Sequence, residues 1–191
     1  MTWYADLGPI DYFRSDSSPS FRAVGWLGEG HAFPQDEVSP EFFERLCLLL
    51  VDPWDPHGFR GFHDCEFCPP YDGPRIREHL PQISVGDQVV TMGVLNLFVP
   101  GDGCVYVAPS LIAHYVRDHR YAPPPEFIDA VLRCPEIHSE EYLNARRQLS
   151  RDDFVRWKLQ GGEPRSRGYI EALRASGAED LVKWTPWWLS R

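Results

Sequence analysis

The chain of 191 residues is long enough for one ordinary domain with a buried core, and 43% hydrophobic residues with 14% aromatics exclude overall disorder. Its net charge is −9. Residues 139–191 hold ten basic and eight acidic side chains, a net charge of +2, so residues 1–138 carry a net charge of −11. An acidic body repels phosphate backbones, so nucleic acid is not an expected partner.

Membrane and secretory signals are missing from the sequence. The longest apolar run, residues 46–51, is far shorter than the ~20 residues that a membrane span needs. The N-terminus, MTWYADLGPIDYF, has no basic region followed by an apolar stretch. We therefore expect a cytoplasmic protein without a membrane partner.

The first half of the chain predicts one strand, one helix and a long irregular segment. The stretch SFRAVGWL, residues 20–27, has the alternation of a strand. In VSPEFFERLCLLLVDPW, residues 38–54, Ser39 can cap a helix, Pro40 suits its first turn and Pro53 ends it. Residues 52–81 are rich in proline and glycine, and such segments are usually functional or braced by something other than backbone ladders.

Strands and then helices follow. The stretches QISVGDQVVTMG and VLNLFVPGDGCVYVAP predict strands, with a hairpin over 94–107 that turns at the Pro-Gly-Asp-Gly sequence. Helices are predicted after Pro109, near Pro125 and behind a Ser139 cap, with further amphipathic segments at 150–160 and 166–176. This order predicts an α+β fold with a small antiparallel sheet and helices mostly in the C-terminal half.

The predicted domain organisation has two parts. Residues 1–149 form the α+β body, which carries a cysteine-rich loop, and residues 150–191 form a helical and aromatic appendage docked on that body. The appendage contains Trp184, Trp187 and Trp188, which either pack on the body or line a peptide groove, because tryptophan offers a large apolar surface with a polar edge.

A cysteine pair in the irregular segment predicts a metal site. Cys65 and Cys68 have the C-x-x-C spacing that directs two sulfurs at one Zn²⁺. His114 and His119 have the spacing of paired zinc histidines, and His63 is an alternate ligand from the same loop. A structural zinc would pin the loop to the first helix after the hairpin. Two buried thiols beside a surface histidine would show the same pattern.

No catalytic residue is assigned from the sequence. A redox pair is disfavoured because two prolines follow Cys68 directly, where a helix would be needed to lower a thiol pKa. A general acid and a general base could be drawn from Asp52, Asp55 and His57, but an exposed charged loop has the same composition. The remaining enzymatic alternative is a small zinc-dependent hydrolase or transferase that uses Cys65, Cys68 and one histidine.

A longer string carries a family resemblance. Residues 96–135, NLFVPGDGCVYVAPSLIAHYVRDHRYAPPPEFIDAVLRCP, together with HDCEFC at 63–68 and WYADLG at 3–8, resemble a small bacterial family. That family includes the peptide-binding accessory proteins of crocagin-type pathways, which process ribosomally made peptides (RiPP biosynthesis). The resemblance covers roughly residues 1–145, and residues 150–191 lie outside it.

The resemblance implies a non-catalytic accessory protein that binds a precursor peptide for the tailoring enzymes of natural-product biosynthesis. Those enzymes or a homologous protein would be further partners. An extended peptide can join a sheet edge as one more strand. The arginines expected to hold its acidic residues by forked hydrogen bonds are Arg146, Arg147 and Arg156.

Overall fold

The computed structural model describes residues 2–10, 21–55, 62–69 and 80–149. Its elements are β1 (Phe21–Ala23), α1 (Pro40–Val51), β2 (Gln82–Val85), β3 (Gln88–Thr91), β4 (Asn96–Pro100), β5 (Val105–Pro109), α2 (Ile112–His119), α3 (Pro125–Arg133) and α4 (Glu140–Leu149). The predicted α+β class, with helices mostly in the C-terminal half, is confirmed. The segments predicted at 150–160 and 166–176, and the docked appendage, lie outside the described residues.

The strands form two small sheets. The predicted hairpin is confirmed as β4 and β5, which pair antiparallel with Phe98 opposite Val107. β1 lies on the other side of β5 and pairs with it in parallel, with Phe21 opposite Val105. Sequence reasoning did not anticipate this parallel edge. β2 and β3 form a separate hairpin around a two-residue turn, whose Gly86 has the positive φ of +56° that such turns require.

α1 forms where the sequence predicts it. The Ser39 hydroxyl accepts a hydrogen bond of 3.2 Å from the Phe42 amide, which satisfies one of the free donors at the helix start. Its apolar residues recur every three or four positions and therefore share one face. The buried members of that face are Phe42, Leu46, Cys47, Leu49 and Leu50.

The three-stranded sheet is buried on both faces. Side chains alternate along β4, so that Leu97 and Val99 join the larger core while Phe98 joins the smaller one. The larger core lies between this sheet, the β2–β3 hairpin and the helices, and the smaller core contains Phe21 and Trp26. Burial on both faces explains the continuous apolar runs of β4 and β5. Within the described residues, no helix has the length and apolar character that a membrane crossing requires.

Candidate metal centre

Four predicted ligands meet between the 62–69 loop and α2. The ligand atoms of Cys65, Cys68, His114 and His119 all lie within 4.8 Å of one another. The Cys65 Sγ is 3.3 Å and the Cys68 Sγ 3.5 Å from His119 Nε2. His114 Nε2 is 3.4 Å from Cys68 Sγ and 3.1 Å from His119 Nε2.

Four of the six separations between these atoms are close to the edges of a tetrahedron around a metal ion. With Zn–S bonds of about 2.3 Å and Zn–N bonds of about 2.05 Å, tetrahedral angles place a sulfur and a nitrogen about 3.6 Å apart and two nitrogens about 3.3 Å apart. The observed S–N and N–N distances of 3.1–3.5 Å are close to both values. The group can therefore hold a metal ion without large movements of the backbone.

The end of α2 brings its two histidines together. In a regular α-helix, residues five apart point in different directions, because each residue rotates by about 100°. Here the Arg120 amide donates to the Tyr115 carbonyl, five residues back instead of four, and Arg120 has a left-handed φ of +56°. A last turn of this width rotates less per residue, so His119 turns towards His114.

A carboxylate orients the His114 ring. Asp118 Oδ2 lies 2.5 Å from His114 Nδ1, so this nitrogen carries the proton and Nε2 faces the other ligands. The guanidinium of Arg117 donates two bonds of 2.8 Å to the two oxygens of Asp118. Hydrogen bonds from Arg117 are the main cause that lowers the pKa of Asp118, and the carboxylate therefore stays charged.

The cysteine loop has the amide arrangement of a metal knuckle. Burial raises the pKa of the Cys65 thiol to about 11. The backbone amides of Phe67 and Cys68 point at its sulfur and act in the opposite direction, lowering this pKa. Burial also lowers the pKa of His119, which favours the neutral imidazole that a metal binds.

Three residues of the loop fasten it to the body. The Phe67 ring packs against Phe33 and His119, with centroids 5.4 Å away in both cases. The Glu66 carboxylate accepts a 2.9 Å bond from the Glu29 amide. The His63 amide donates to the Gly93 carbonyl at 2.8 Å, and a Cβ at position 93 would meet the His63 carbonyl oxygen at 2.4 Å. Only glycine therefore allows this close approach.

The other residues predicted to bind a metal or a peptide do not join this cluster where the structure describes them. His63 is not among the four clustered ligands, and its backbone anchors the loop instead. Arg146 lies on α4 and is fully buried, whereas the side chain of Arg147 is not among those that the structure describes. Trp184, Trp187, Trp188 and Arg156 lie outside the described residues.

Two polar residues that position parts of the structure were not singled out from the sequence. Asp118 follows His114 by four residues on a helix, and this spacing alone could have identified it. Asp6 carries no such signal, because it lies far from its partners in sequence. One of its oxygens accepts bonds from the Gly25 amide at 3.0 Å and the Tyr121 hydroxyl at 2.8 Å, which ties the N-terminal segment to the end of α2.

Comparison with known proteins identifies the family of this chain. Residues 2–132 match the family described as "Domain of unknown function (DUF7919)", which is more than half of the chain. The chain belongs to the DUF7919 family. The DUF7919 match contains all four clustered ligands, and α4 follows it. No curated protein and no solved structure matches the chain.

Proposed function

We propose that this protein is a non-catalytic accessory protein that binds a ribosomally made precursor peptide for tailoring enzymes, and that a structural zinc braces it. The observation that carries the proposal is the closed set of four protein donors. Structural zinc sites have four protein ligands, whereas catalytic sites keep a position open for water or substrate. The set therefore favours a binding protein over a zinc-dependent hydrolase or transferase. The resemblance to peptide-binding accessory proteins supplies the class of ligand.

Zinc is the metal that this donor set suits best. Two thiolates with two imidazoles in a tetrahedral arrangement favour Zn²⁺ over the harder Mg²⁺ or Ca²⁺, which prefer oxygen ligands. We expect about one equivalent of zinc in protein purified without added metal. Cys65→Ser should lower the zinc content and the melting temperature together. Cys104→Ser is the matched control, because Cys104 is also a partly buried thiol but lies outside the cluster. A metal-free and fully stable protein would contradict the proposal.

The three-stranded sheet offers little room for an added strand. On β4, the Asn96 amide donates to Asp55 Oδ2 at 3.1 Å, and the Phe98 carbonyl accepts the Tyr142 hydroxyl proton at 2.7 Å. On β1, Ala23 exchanges backbone hydrogen bonds with Leu7 and Gly8. Side chains and the N-terminal segment thus already use both outer edges of this sheet.

The β2–β3 hairpin has a free edge. The Met92 amide donates to the Pro81 carbonyl, so the alternation of an antiparallel pair turns the backbone groups of Val89 and Thr91 away from β2. Among the described residues, none forms a hydrogen bond with these groups. A groove of about 310 Å³ lies beside this strand, and its lining includes Gln88, Leu48 and Ile137. We assign the peptide to this edge, where its backbone would pair with β3 and its side chains would enter the groove.

Binding calorimetry with the precursor peptide encoded beside the protein's gene tests this assignment. We expect a Kd in the micromolar range or tighter, about −8 kcal/mol. Val89→Pro removes an outward amide without breaking the hairpin and should weaken binding. Ser84→Pro does the same on the opposite edge of the hairpin and should leave binding unchanged. Equal losses for both variants would contradict the β3 assignment.

Two further measurements separate the alternatives. Trp187→Ala combined with Trp188→Ala should weaken binding if the C-terminal aromatics contribute to the groove. Mass spectrometry should find the peptide unaltered after long incubation. A cleaved or modified peptide would support the zinc-dependent enzyme instead, and the absence of binding to any peptide encoded nearby would contradict the proposed function.

A further inference from the structure

A buried hydroxyl lies beside the candidate metal centre without a partner. Tyr115 follows His114 on α2, and none of its surface is exposed. Among the described residues, none forms a hydrogen bond with its hydroxyl oxygen. Burial takes away the bonds that a hydroxyl makes to water, and buried hydroxyls are therefore normally bonded within the protein. The Tyr115 hydroxyl requires an acceptor.

The Tyr115 ring contacts both elements that form the centre. Its centroid lies 5.9 Å from that of His114 and 6.1 Å from that of His119 on α2. It lies 6.0 Å from the centroid of Phe67 in the 62–69 loop, in an edge-to-face arrangement. Tyr115 belongs to the larger core, and Cys65 packs against this core from the loop. The ring therefore lies where the core meets the loop.

The charged groups that act on this hydroxyl belong to the loop. Burial is the main cause that raises the pKa of Tyr115, and the charges of Cys65, Glu66 and Cys68 raise it further. A raised pKa means that the hydroxyl keeps its proton and faces these groups as a donor. Its acceptor is therefore to be sought in this part of the loop.

Cys65 is the acceptor that suits the position of Tyr115 best. The Glu66 side chain is exposed, and its carboxylate is already bonded to the Glu29 amide. Of the two clustered cysteines, Cys65 is the one that packs against the core that contains Tyr115. Cys65 also raises the pKa of Tyr115 more than Cys68 does, which agrees with this packing.

Metal coordination turns the Cys65 sulfur into a strong acceptor. A thiol sulfur accepts hydrogen bonds only weakly, whereas a metal binds the thiolate. Hydrogen bonds to an ionised acceptor are stronger than those to a neutral one. The amides of Phe67 and Cys68 already point at this sulfur from within the loop. The Tyr115 hydroxyl adds a donor from α2.

We propose that Tyr115 is a positioning residue of the metal centre, whose hydroxyl donates a hydrogen bond to the Cys65 thiolate when a metal is bound. This role rests on the zinc of the proposed function. Donor and acceptor both belong to the described residues, so no ligand has to enter the buried space. The bond connects α2 to the loop in addition to the metal, and it orients the sulfur and spreads its charge.

Cobalt(II) reports on the affinity and on the thiolates of the centre, because it replaces zinc in such sites and absorbs light through its bonds to sulfur. Tyr115→Phe removes the hydroxyl and keeps the ring. We expect this variant to bind cobalt about 10-fold more weakly than the wild type does. Its sulfur-to-cobalt absorption band should move to longer wavelength, because a thiolate without this hydrogen bond gives up an electron more readily.

Thermal unfolding in the presence of a chelator separates this role from packing. Tyr115→Phe should then be at least as stable as the wild type, since it lacks a buried hydroxyl without a partner. Tyr142→Phe is the matched control, because Tyr142 is also fully buried in the larger core but donates to the Phe98 carbonyl. This control should lower the melting temperature and leave the cobalt affinity and the absorption band unchanged.

NMR of the wild-type protein, loaded with a magnetically active cadmium isotope, detects the bond directly. A hydrogen bond to a cadmium-bound sulfur transmits a scalar coupling between the bonded proton and the metal. We expect this coupling for the Tyr115 hydroxyl proton, assigned through its correlation with the protons of the Tyr115 ring. The wild type suffices for this measurement, which therefore decides the role of Tyr115 if Tyr115→Phe fails to fold.

Two outcomes would overturn the role of Tyr115. Equal cobalt affinities and band positions for the wild type and Tyr115→Phe, without a coupling to cadmium, contradict it and leave the zinc of the proposed function standing. A wild type that binds none of zinc, cobalt and cadmium contradicts both. No precursor peptide enters these measurements, so their outcome is separate from that of the peptide-binding test.

Discussion

His114 and Asp118 are one helical turn apart on α2, and this pair determines which nitrogen His114 offers to a metal. Because Nδ1 donates to the carboxylate, the lone pair of Nε2 is directed at Cys68 and His119. Arg117 holds the carboxylate in place with a fork of two hydrogen bonds. Such outer partners keep the ring oriented and make the coordinating nitrogen more basic.

Asp118→Asn should weaken zinc binding by about 10–100-fold, since the amide is a poorer acceptor for the His114 proton and loses its charge. Competition with a chromophoric chelator measures the affinity. Asp129→Asn is the control, because Asp129 is an exposed carboxylate on α3 outside the cluster. Equal affinities for the wild type and Asp118→Asn would show that the ring is held by packing alone.

Two elements, the 62–69 loop and α2, form the candidate centre from opposite sides. The loop has no regular secondary structure, and its position depends on the Phe67 contacts, the Glu66 bond and the backbone bond to Gly93. A metal bound by both elements would add a crosslink between residues far apart in sequence. Removing it should loosen the loop more than the helices, whose backbone bonds are internal.

Hydrogen exchange after chelation tests this dependence. The amides of Phe67 and Cys68, which point at the Cys65 sulfur, should exchange roughly 10-fold faster or more when zinc is removed. The amides of residues 46–50 in α1 provide the internal control, because they lie in a buried helix that contributes none of the four clustered residues. Loop exchange that is unchanged by the chelator would show that the protein contacts suffice to hold the loop.

At the scale of the whole molecule, the family match and the packed body end at different places. The match stops at residue 132, within α3. α4 nevertheless contributes Tyr142 to the larger core, where its hydroxyl bonds to the Phe98 carbonyl on β4. A folded unit therefore needs α4, because loss of this helix would expose core residues and leave the β4 edge unpaired.

A chain that ends at Leu149 should remain soluble and unfold cooperatively, whereas a chain that ends at Leu132 should be much less stable. Truncation at Leu132 removes the buried Tyr142 and Arg146 together. Denaturant unfolding followed by tryptophan fluorescence compares the two. Failure of the longer chain to fold would show that residues 150–191 belong to the body, and the predicted boundary at 149 would be wrong.

Local chemistry in the sequence determined several features directly. The cap and apolar spacing predicted α1, and the Pro-Gly-Asp-Gly turn predicted the β4–β5 hairpin. The spacing within the cysteine pair and within the histidine pair predicted the four side chains that cluster. Each signal lies within a few neighbouring residues, where backbone preference or ligand geometry acts without help from the rest of the chain.

Only the tertiary structure decided the features that join distant residues. No local pattern predicts the parallel pairing of β1 with β5, the occupied edges of the three-stranded sheet or the burial of Arg146. They depend on which surfaces meet when the chain packs, since a sheet partner, a buried charge and a free edge are defined by their surroundings and not by the residue itself.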